Sequence, residues 1–516
     1  MCGIVGYIGN KPAVDILLDG LEQLEYRGYD SSGIAVKCPE EIKVYKAEGK
    51  LKNLREELAP HAYEISKSTL GIGHIRWATH GAPTVVNAHP HTCGCGKLVV
   101  VHNGIIENYK ELKAELEAKG CKFRSQTDTE TVAHLVALIY GEVKDLTKAV
   151  QMATKRLEGA YALCIMHNDE PNKLVATKRN APLVVGVGEN EYYVASDVPA
   201  IIKHTNKAIY IKDNQVVSLT PNSLKLEDEF GGEIIPKVEV LPWEPVALSK
   251  MGFKHFMLKE IHEQPDVIRN ILIGKLHTSD SPIVLDEVKL TKEHLRKLNR
   301  IQVIACGTSL HAAMVGKYII ESFCGIPVDV EASSEYIYRK TVTDEHTLVI
   351  GVSQSGETAD TLTAIKQAKS KGSHVLIITN RPDSTMAREA DSLIPVSAGI
   401  EVSVAATKSY IAQLTSFYLL ALYMAEIKES MPTKELNDIK AEMLVLPQKI
   451  EQILAHKEGI QACARKYANT RDFIYIARGI NYPTALEGAL KLKEISYINA
   501  TGYPAGELKH GPIAML

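Results

Sequence analysis

The chain begins Met1-Cys2-Gly3-Ile4-Val5-Gly6, a cysteine directly after the initiator methionine, followed by an apolar run that favours a strand. If Met1 is removed, the thiol and the free α-amino group of Cys2 belong to one residue. An α-amino group titrates at about 7.7–8.0, so at neutral pH it can accept the thiol proton and leave a nucleophilic thiolate. The alternative is that Cys2 is a small residue at the start of a strand, and its position alone does not decide between the two.

Composition narrows the class of protein. The chain has 516 residues, 45% apolar and 23% charged, which is typical of a globular protein of about three domains. The net charge of −3 argues against a general nucleic-acid or membrane-surface role. Acidic Asp15 and Asp19 argue against a secretion signal, and the absence of an 18-residue charge-free apolar run argues against a membrane span.

The nine scattered cysteines indicate free thiols in a reducing, cytoplasmic compartment. Cys93-Gly94-Cys95 is the one close pair, with His89 and His91 just upstream. Because no second pair follows at zinc-site spacing, we expect a polar surface turn there, and neither a metal nor a cofactor.

Residues 2–240 are predicted to form a first domain of short strands, turns and a few helices. The predicted strands are 2–8, 97–102, 163–166, 173–177, 183–187 and 192–195, and the predicted helices are 107–119 and 129–138. Between them lie polar clusters that packing does not require, at 27–33, 73–81, 87–90, 101–104 and 127–130.

Each cluster alone has a structural explanation. Asn103-Gly104 is a common turn pair, Thr127 and Glu130 could form a capping box, and Arg76 could belong to an ion pair.

Together with Cys2, these clusters resemble, in order and spacing, a glutamine amidotransferase domain of the N-terminal-nucleophile type, which has an αββα fold. The resemblance implies that Cys2 is the nucleophile and that the Asn103 amide and the Gly104 N–H stabilise the oxyanion. It also implies a glutamine site formed by Arg76 for the carboxylate, Asp128 for the ammonium, Trp77 as the closing residue, and Thr79 and His80 in the adjoining segment.

The pattern changes after the first domain. Leu241-Pro242-Trp243-Glu244-Pro245 indicates a boundary, and 241–290 is predicted to be a linker with connecting helices, including one at 255–265 ended by proline. Strands at 301–305, 348–352 and 374–379 then alternate with helices that reach about residues 322 and 370. Such alternation predicts a doubly wound parallel sheet, with polar residues at the strand carboxyl ends lining a crevice. We place this domain at 291–430.

One turn of this domain, Ser353-Gln354-Ser355-Gly356-Glu357-Thr358, lies between a predicted strand and a helix. Hydroxyls and free N–H groups at a helix N-terminus suit a phosphate, although ordinary capping by Ser353, Ser355 or Thr358 also explains them. The segment resembles the phosphosugar-binding loop of sugar isomerase domains.

An internal repeat points to a second domain of this type. Ile304-Ala305-Cys306-Gly307 resembles Ile476-Ala477-Arg478-Gly479 at an offset of 172 residues, and the same offset aligns Ser334-Glu335-Tyr336 with Gly506-Glu507-Leu508. We place the second domain at 460–516. The counterpart of Ser353 would fall at 525, so we expect the chain to stop inside this domain.

The whole chain resembles the family of glutamine–fructose-6-phosphate aminotransferases, with 485–497 and 506–512 as the most telling segments. The resemblance implies substrates glutamine and fructose 6-phosphate, an internal ammonia channel and a homodimer. It implies a sugar-phosphate site of Thr308, Ser309, Ser353, Gln354, Ser355 and Thr358. Glu494 would move the proton between sugar C1 and C2, Lys491 would lie beside it, and His510 would open the sugar ring from the neighbouring subunit.

One departure concerns the family's C-terminal tail, whose lysine forms a Schiff base with the open-chain sugar. The chain as given lacks this tail. We expect that such a chain would fold poorly over 460–516 and lose sugar synthesis, and that it is more readily explained as part of the complete enzyme.

Two other functions compete. Another N-terminal-cysteine amidotransferase, acting on phosphoribosyl pyrophosphate or aspartate, would share the first domain but lack the Ser353–Thr358 loop and the Glu494 helix. A sugar-phosphate-sensing protein would not need the glutaminase site. A fragment with glutaminase activity alone would not need the sugar-phosphate site.

Overall fold

The computed structural model describes residues 2–25, 28, 30–77, 81–241 and 250–515. It divides into two compact units, Met1–Ser249 and Lys250–Leu516.

The strands of the first unit are β1 (Gly3–Ile8), β2 (Ser31–Lys37), β3 (Ile42–Glu48), β4 (Leu70–Arg76), β5 (His91–Thr92), β6 (Leu98–Ile106), β7 (Gly159–His167), β8 (Leu174–Arg179), β9 (Val184–Val187), β10 (Tyr192–Ala195), β11 (Lys207–Tyr210), β12 (Val216–Thr220), β13 (Ser223–Glu227), β14 (Glu233–Ile234) and β15 (Glu239–Val240). Its helices are α1 (Ala13–Gln23), α2 (Leu51–Leu58), α3 (Ala62–Ile65), α4 (Tyr109–Ala118), α5 (Thr129–Val143) and α6 (Leu146–Thr154).

These strands form two antiparallel sheets. The first has the order β15-β11-β9-β10-β1-β4-β2-β3 and the second β14-β13-β12-β8-β7-β6-β5. Apolar side chains from both sheets, such as Ile4 and Ile72 from one and Val99 and Val101 from the other, form a shared core. Helix α1 packs on the outer face of the first sheet, while α4, α5 and α6 cover the second. The layers are therefore helix, sheet, sheet and helix, which confirms the αββα prediction.

Strand β1 is central in its sheet because both of its edges are paired. It runs antiparallel to β10 on one side and to β4 on the other, with Gly3 opposite Ile75 and Ile4 opposite His74. Period-2 alternation then places Ile4 and Ile8 between the two sheets. The residue just before β1 is Cys2, so the thiol lies at the end of a strand that is held from both sides.

The second unit contains α7 (Phe256–His262), α8 (Gln264–Leu272), α9 (Lys292–Lys297), β16 (Arg300–Ala305), α10 (Gly307–Cys324), β17 (Val328–Ala332), α11 (Ser333–Tyr338), β18 (Thr347–Ser353), α12 (Ala359–Lys369), β19 (His374–Thr379), α13 (Thr385–Glu389), β20 (Ser392–Pro395), α14 (Lys408–Lys428), α15 (Thr433–Ala455), α16 (Glu458–Lys466), β21 (Asp472–Ala477), α17 (Tyr482–Ser496) and β22 (Asn499–Pro504).

The main sheet of this unit is parallel throughout, in the order β17-β16-β18-β19-β20. This confirms the doubly wound architecture. The strand order reverses between β16 and β18, and ligands of open parallel sheets bind in the crevice at such a switch point. Ser353 is the last residue of β18 and Thr308 lies in the first turn of α10, directly after β16, so both predicted phosphate-binding segments lie at one edge of the sheet.

The 172-residue repeat is present in the backbone. Strands β16 and β17 pair with Ala305 opposite Ala332, and β21 and β22 pair with Ala477 opposite Pro504. Each residue of the second pair lies 172 positions after its counterpart in the first pair, so the two strand pairs have the same register. The glycines that follow, Gly307 and Gly479, share positive φ values of 54° and 55°. The internal repeat is thus confirmed as a repeated supersecondary unit.

Some predicted elements differ from the structure. Strands β17 and β20 were missed because each is short and only partly buried. The predicted helix at 255–265 ends at His262, and Pro265 instead lies in the first turn of α8. Proline suits that position because the first helical N–H groups need no intrahelical partner.

Helix α14 forms much of the core of the second unit. Phe417, Leu420 and Met424 on it are fully buried. Among the described residues it is the one helix long and apolar enough to cross a membrane by length and composition, and 67% of its most apolar window is buried within the protein.

The packing of α10 on α14 generates the first prediction. A Cβ added at Gly316 would lie 2.4 Å from a ring carbon of Phe417. We expect Gly316→Ala to destabilise the second unit by about 1–3 kcal/mol through overpacking. Gly459→Ala in α16, where a Cβ meets nothing within 4 Å, is the control and should be neutral or stabilising by up to about 1 kcal/mol. Calorimetric unfolding of both variants checks this, and an unchanged transition in Gly316→Ala would contradict it.

Candidate active sites

The register of β1 and β4 positions the first candidate site. Continuing that register places Cys2 opposite Arg76, and alternation makes both side chains face the second sheet, on the same side as Ile4 and His74. The Cys2 thiol lies against the backbone of Trp77: the Trp77 N–H is 3.3 Å from Sγ, and the Trp77 carbonyl oxygen is 3.4 Å from it. The predicted nucleophile and the predicted carboxylate-binding residue are therefore neighbours.

Asn103 reaches this thiol from the second sheet. Its Nδ2 donates to the backbone oxygen of Cys2 at 3.1 Å, which fixes the orientation of the amide. The opposite end of the amide, Oδ1, lies 3.0 Å from Nε2 of His74, and this nitrogen is also 2.9 Å from the His102 carbonyl oxygen. Both neighbours of Nε2 are acceptors, so Nε2 carries the proton and donates. His74 therefore holds the NH₂ group of Asn103 towards Cys2.

Gly104 requires a glycine. Its φ is +119°, and an added Cβ would lie 2.0 Å from the carbonyl oxygen of Ala160 on the paired strand β7. Any side chain would break this close approach of β6 and β7. The turn interpretation of Asn103-Gly104 is wrong, because both residues lie within β6.

Arg76 and Asp128 are both almost completely buried. The guanidinium donates to the backbone oxygens of Gly81 at 3.4 Å and Ala82 at 3.3 Å. Burial lowers the pKa of Arg76, while Cys2 and Asp128 act in the opposite direction. Asp128 Oδ2 accepts the Ile106 N–H at 2.8 Å. A buried cation and a buried anion beside one thiol can bind the two charged ends of a free amino acid.

The rest of the predicted glutamine site is partly described. Trp77 follows Arg76, and its residue surface is 41% exposed, so its side chain is available at the mouth of the site. Thr79 and His80 lie outside the described residues.

The capping box suggested for Thr127 and Glu130 is wrong. Thr127 contacts His91 Nε2 through its hydroxyl at 3.1 Å, and Glu130 accepts from the backbone N–H and hydroxyl of Ser125 at 2.6 and 2.7 Å. Burial alone would raise the pKa of Glu130, but its contacts with His134 and Ser125 lower it to about 2. Glu130 therefore fixes the segment that leads to Asp128.

A cluster of buried histidines lies behind these residues. The rings of His74 and His89 are stacked with centroids 4.1 Å apart, and His91 lies 4.8 Å from His89. The backbone N–H of His102 donates to His89 Nδ1 at 3.3 Å. Burial lowers the pKa of His74 to about 3 and holds those of His89 and His91 well below their ordinary value. These three rings are neutral, so they can act as fixed donors and acceptors but not as cations.

The second candidate site begins with the loop after β18. Ser353 Oγ lies 2.8 Å from Thr358 Oγ1 and accepts the Gly356 N–H at 3.0 Å, while Ser355 Oγ accepts the Glu357 N–H at 3.2 Å. Thr358 is the N-cap of α12, yet its side chain makes no capping bond. The hydroxyls therefore form a cluster in front of the helix N-terminus instead of capping it, an arrangement suited to a phosphate.

The other predicted phosphate-binding residues have distinct contacts. The Gln354 carbonyl oxygen accepts the Asn380 N–H at 3.2 Å, which ties the loop to the end of β19. Ser309 is buried, and its hydroxyl accepts from Gln413 Nε2 at 3.0 Å.

Helix α17 carries the predicted acid–base residues on one face. Lys491 Nζ lies 2.7 Å from Glu494 Oε2, 3.2 Å from Glu487 Oε1 and 3.0 Å from the hydroxyl of Thr308. Glu487 also accepts from Thr308 at 3.0 Å and contacts His311 Nδ1 at 2.7 Å. Burial opposes ionisation of Glu487, but His311, Lys491 and Thr308 together lower its pKa. The fold thus brings Thr308, Lys491 and Glu494 together through Glu487.

His510 is separate from this group. Its ring is exposed, and within the described part of the chain its side chain makes no hydrogen bond or ion pair with the other predicted residues.

Three contributing residues were missed by the sequence analysis, namely His74, Glu487 and His311. Glu487, Lys491 and Glu494 are spaced i, i+4 and i+7, so helical periodicity could have added Glu487 to the face. His74 lies in the polar cluster 73–81, but nothing there indicates its partner Asn103, and nothing in the local pattern around His311 indicates Glu487, because both partners are distant in sequence.

In the described ranges, no group of three or more His, Cys, Asp or Glu residues has the geometry of a metal site. All nine cysteines are free thiols.

Comparisons with family models agree with the two units. Residues 84–203 match the model of a glutamine amidotransferase domain, and residues 294–423 and 466–516 match the SIS domain.

Among curated proteins, the chain is similar over its full length to three called glutamine–fructose-6-phosphate aminotransferase [isomerizing]. It is 47% identical to that of Clostridium tetani, 48% to that of Caldanaerobacter subterraneus and 49% to that of Gloeobacter violaceus, and covers 84% of each. Among solved structures, it resembles the C-terminal domain of glucosamine-fructose-6-phosphate aminotransferase from Francisella tularensis. The TM-score is 0.50 and the identity 40%, over 52% of this chain and 74% of that one.

The histidine cluster generates a prediction about acid stability. Each of the three rings is neutral in the folded protein and gains a proton on unfolding below about pH 6.5, the ordinary histidine pKa. The contribution of these rings to the free energy of unfolding therefore has its full value above that pH and decreases as the pH falls. Near pH 3, His74 becomes protonated in the folded state as well, and its contribution no longer changes. Three protons correspond to a slope of up to about 4 kcal/mol per pH unit.

Hydrogen exchange of β4 and β6 between pH 7.5 and 5.5, corrected for intrinsic rates, measures this slope. Strand β19 of the second unit, where burial lowers the pKa of His374, serves as a comparison and should show a smaller slope. Equal protection of β4 at both pH values would contradict the prediction.

Proposed function

The chain belongs to the family of isomerizing glutamine–fructose-6-phosphate aminotransferases, and from this membership we propose which residues perform each part of the reaction. The reaction transfers the amide nitrogen of L-glutamine to D-fructose 6-phosphate with isomerisation, and gives D-glucosamine 6-phosphate and L-glutamate. The observation that carries the assignment is that one chain of this family holds both a thiol beside an amide donor and a carboxylate–ammonium pair that contacts Thr308 at the switch point of the parallel sheet.

In the glutaminase half, Cys2 is the nucleophile once Met1 has been removed. Its α-amino group accepts the thiol proton, and Sγ attacks the side-chain carbonyl carbon of glutamine. The oxyanion that forms is stabilised by the Asn103 Nδ2–H and the Gly104 backbone N–H. Protonation of the leaving group releases ammonia, and water hydrolyses the thioester to glutamate. The 3.1 Å contact between Asn103 and the Cys2 backbone supports this geometry.

Glutamine is held by its charged ends. Arg76 binds the α-carboxylate, since a guanidinium forms two parallel hydrogen bonds to a carboxylate. The Asp128 carboxylate accepts hydrogen bonds from the α-ammonium group of glutamine. The hydrogen bond from the Ile106 N–H keeps the Asp128 side chain in place. Trp77 covers the bound substrate, and Thr79 and His80 complete the site.

In the sugar half, ammonia condenses with the C2 carbonyl of fructose 6-phosphate. Glu494 then moves the proton between C1 and C2, which converts the ketose imine into the aldose amine. The Lys491 ammonium lies 2.7 Å from Glu494 Oε2 and so fixes the position of this carboxylate on α17. Glu487 compensates the charge of Lys491 from the other side, and is thereby a positioning residue.

The phosphate is bound by Thr308, Ser309, Ser353, Gln354, Ser355 and Thr358. Support comes from the hydroxyl cluster before α12 and from the switch point between β16 and β18.

Assembly and location extend the proposal. We place His510 in the site of a second copy of this chain, where it opens the sugar ring, so the working form is a homodimer. His510 is exposed and makes no hydrogen bond or ion pair with Glu494 or Lys491 among the described residues, which supports that role. The free state of the nine cysteines supports a cytoplasmic location.

The test is a labelling experiment. The protein, purified with the family's C-terminal tail in place and with removal of Met1 verified by mass spectrometry, is incubated with glutamine labelled at the amide nitrogen and fructose 6-phosphate. We expect glutamate and labelled glucosamine 6-phosphate in equal amounts. Glutamate without amino sugar would overturn the synthase assignment in favour of a glutaminase, and amino sugar without label would overturn the transfer of the amide nitrogen.

Two variants assign the halves in the same assay. Cys2→Ala should release no glutamate. Glu494→Gln should form amino sugar at least about 100-fold more slowly, because the base is lost, and should still hydrolyse glutamine. A Glu494→Gln variant with full synthase activity would contradict the role of this carboxylate.

The orientation of Asn103 by His74 yields a separate prediction. Asn103→Ala should lower kcat for glutamine hydrolysis by about 10²–10³, the effect of losing one oxyanion donor. His74→Leu removes only the bond that orients the amide, so we expect a kcat about 10-fold lower with little change in KM, because Arg76 and Asp128 still bind the substrate. His74→Gln, which can donate from a similar position, should recover most of the activity. Equal kcat values for the Leu and Gln variants would exclude this positioning role.

A further inference from the structure

A pair of thiols in the first unit has no part in the reaction above. The segment between β5 and β6 is a turn in which the Gly96 N–H donates to the Cys93 carbonyl oxygen at 3.0 Å. Cys93 and Cys95 thus occupy the first and third positions of one β-turn, and their sulfur atoms are 3.0 Å apart. A disulfide needs a separation of about 2.05 Å, so a shift of about 1 Å joins them.

The two thiols differ in environment. Cys93 is buried, accepts the Leu98 N–H on its sulfur at 3.3 Å, and bonds to the Leu98 carbonyl oxygen through its own N–H at 3.1 Å. Burial and the adjacent Cys95 thiol raise the pKa of Cys93, so this thiol is protonated at neutral pH. Cys95 is exposed to solvent. A reagent therefore reaches Cys95 first, and Cys93 is held next to it.

A cavity of about 670 Å³ opens beside this turn. Three cationic side chains line it, Lys119, Lys122 and Arg124, and none of the described residues lining it is acidic. His134 also lines it, is only 3% exposed, and has its Nε2 3.7 Å from Oε1 of Glu130. The cavity therefore suits an anionic small molecule close to the two thiols.

We propose that Cys93 and Cys95 are a redox-active dithiol, which an anionic low-molecular-weight disulfide of the glutathione type, bound in this cavity, oxidises to an intramolecular disulfide.

The chemistry is two thiol–disulfide exchanges. The Cys95 thiolate attacks one sulfur of oxidised glutathione, the glutathione S–S bond breaks, and one glutathione thiolate leaves. Cys93 then loses its proton to solvent and its sulfur attacks Cys95 Sγ, which expels the second glutathione thiolate. The protein loses two electrons and two protons, and one oxidised glutathione becomes two reduced molecules. Excess reduced glutathione reverses the sequence.

The sequence provides a direct readout. Trypsin releases residues 77–97 as one peptide, because Arg76 and Lys97 flank it, and Cys93 and Cys95 are its only cysteines. The full-length protein is reduced, treated with oxidised glutathione, alkylated and digested. We expect this peptide to lose two hydrogen masses and to carry neither alkyl group nor glutathione. The exposed Cys463 lies on α16 and has no other cysteine near it in the sequence. It should therefore keep a glutathione adduct and is the internal control.

Variants separate the two steps. Cys93→Ser should trap glutathione on Cys95, because the resolving thiol is missing. Cys95→Ser should leave the buried Cys93 unreacted. Cys121→Ser, which changes the other cysteine that lines the cavity, should still form the disulfide.

Removing positive charge from the cavity tests whether the disulfide reagent binds there. Lys122→Gln with Arg124→Gln should slow oxidation by oxidised glutathione several-fold at low salt and leave oxidation by neutral hydroxyethyl disulfide unchanged. Equal slowing by both reagents, or by neither, would exclude binding in the cavity.

Two results would overturn the dithiol itself. One is a stable glutathione adduct on Cys95 of the unaltered protein, and the other is an unreacted peptide under conditions where Cys463 is fully modified. Glutaminase activity is recorded throughout, so that failure of this proposal is distinguished from failure of the active-site assignment.

Discussion

The antiparallel pairing of β1 with β4 is the constraint on which the chemistry of the first unit depends. Gly3 lies opposite Ile75, so the end of one strand presents Cys2 where the other presents Arg76. A slip of one residue would turn both side chains to the opposite face of the sheet. The pairing is protected because β1 has partners on both sides and its apolar residues are buried between two sheets. Stability of the core and placement of Cys2 beside Arg76 therefore follow from one register.

The two sheets meet in a polar contact as well as an apolar one. His74 on β4 donates to Asn103 on β6, and the same amide donates to the backbone of Cys2. A buried polar group is costly unless it is bonded, so this chain of bonds is specified as tightly as the apolar packing around it. Burial keeps His74 neutral, and neutrality leaves a single donor at Nε2 to orient Asn103. A buried histidine thereby fixes the orientation of the Asn103 amide beside Cys2.

In the second unit, the candidate acid–base side chains are held by ion pairs. The face of α17 that meets α10 carries two carboxylates and one ammonium, and Lys491 lies between Glu487 and Glu494. Thr308 and His311 on α10 supply hydrogen bonds to Glu487. A lone buried carboxylate would tend to take up a proton, whereas this network keeps Glu487 ionised. The candidate base, Glu494, is consequently held by Lys491, which Glu487 positions in turn.

Much of this protein follows from sequence alone. Strand and helix periodicity, the 172-residue repeat and the turns after β16 and β18 have local causes, since side-chain alternation, capping and glycine act over a few residues. The proposed roles of Cys2, Asn103 and Glu494 come from the family resemblance of the segments that contain them. Tertiary structure decided what joins distant segments: His74 with Asn103, Glu487 with His311, and the use of Asn103-Gly104 as strand instead of turn. Those outcomes depend on pairing and burial between residues far apart in the chain, and no local pattern encodes the distance between two side chains that only folding brings together.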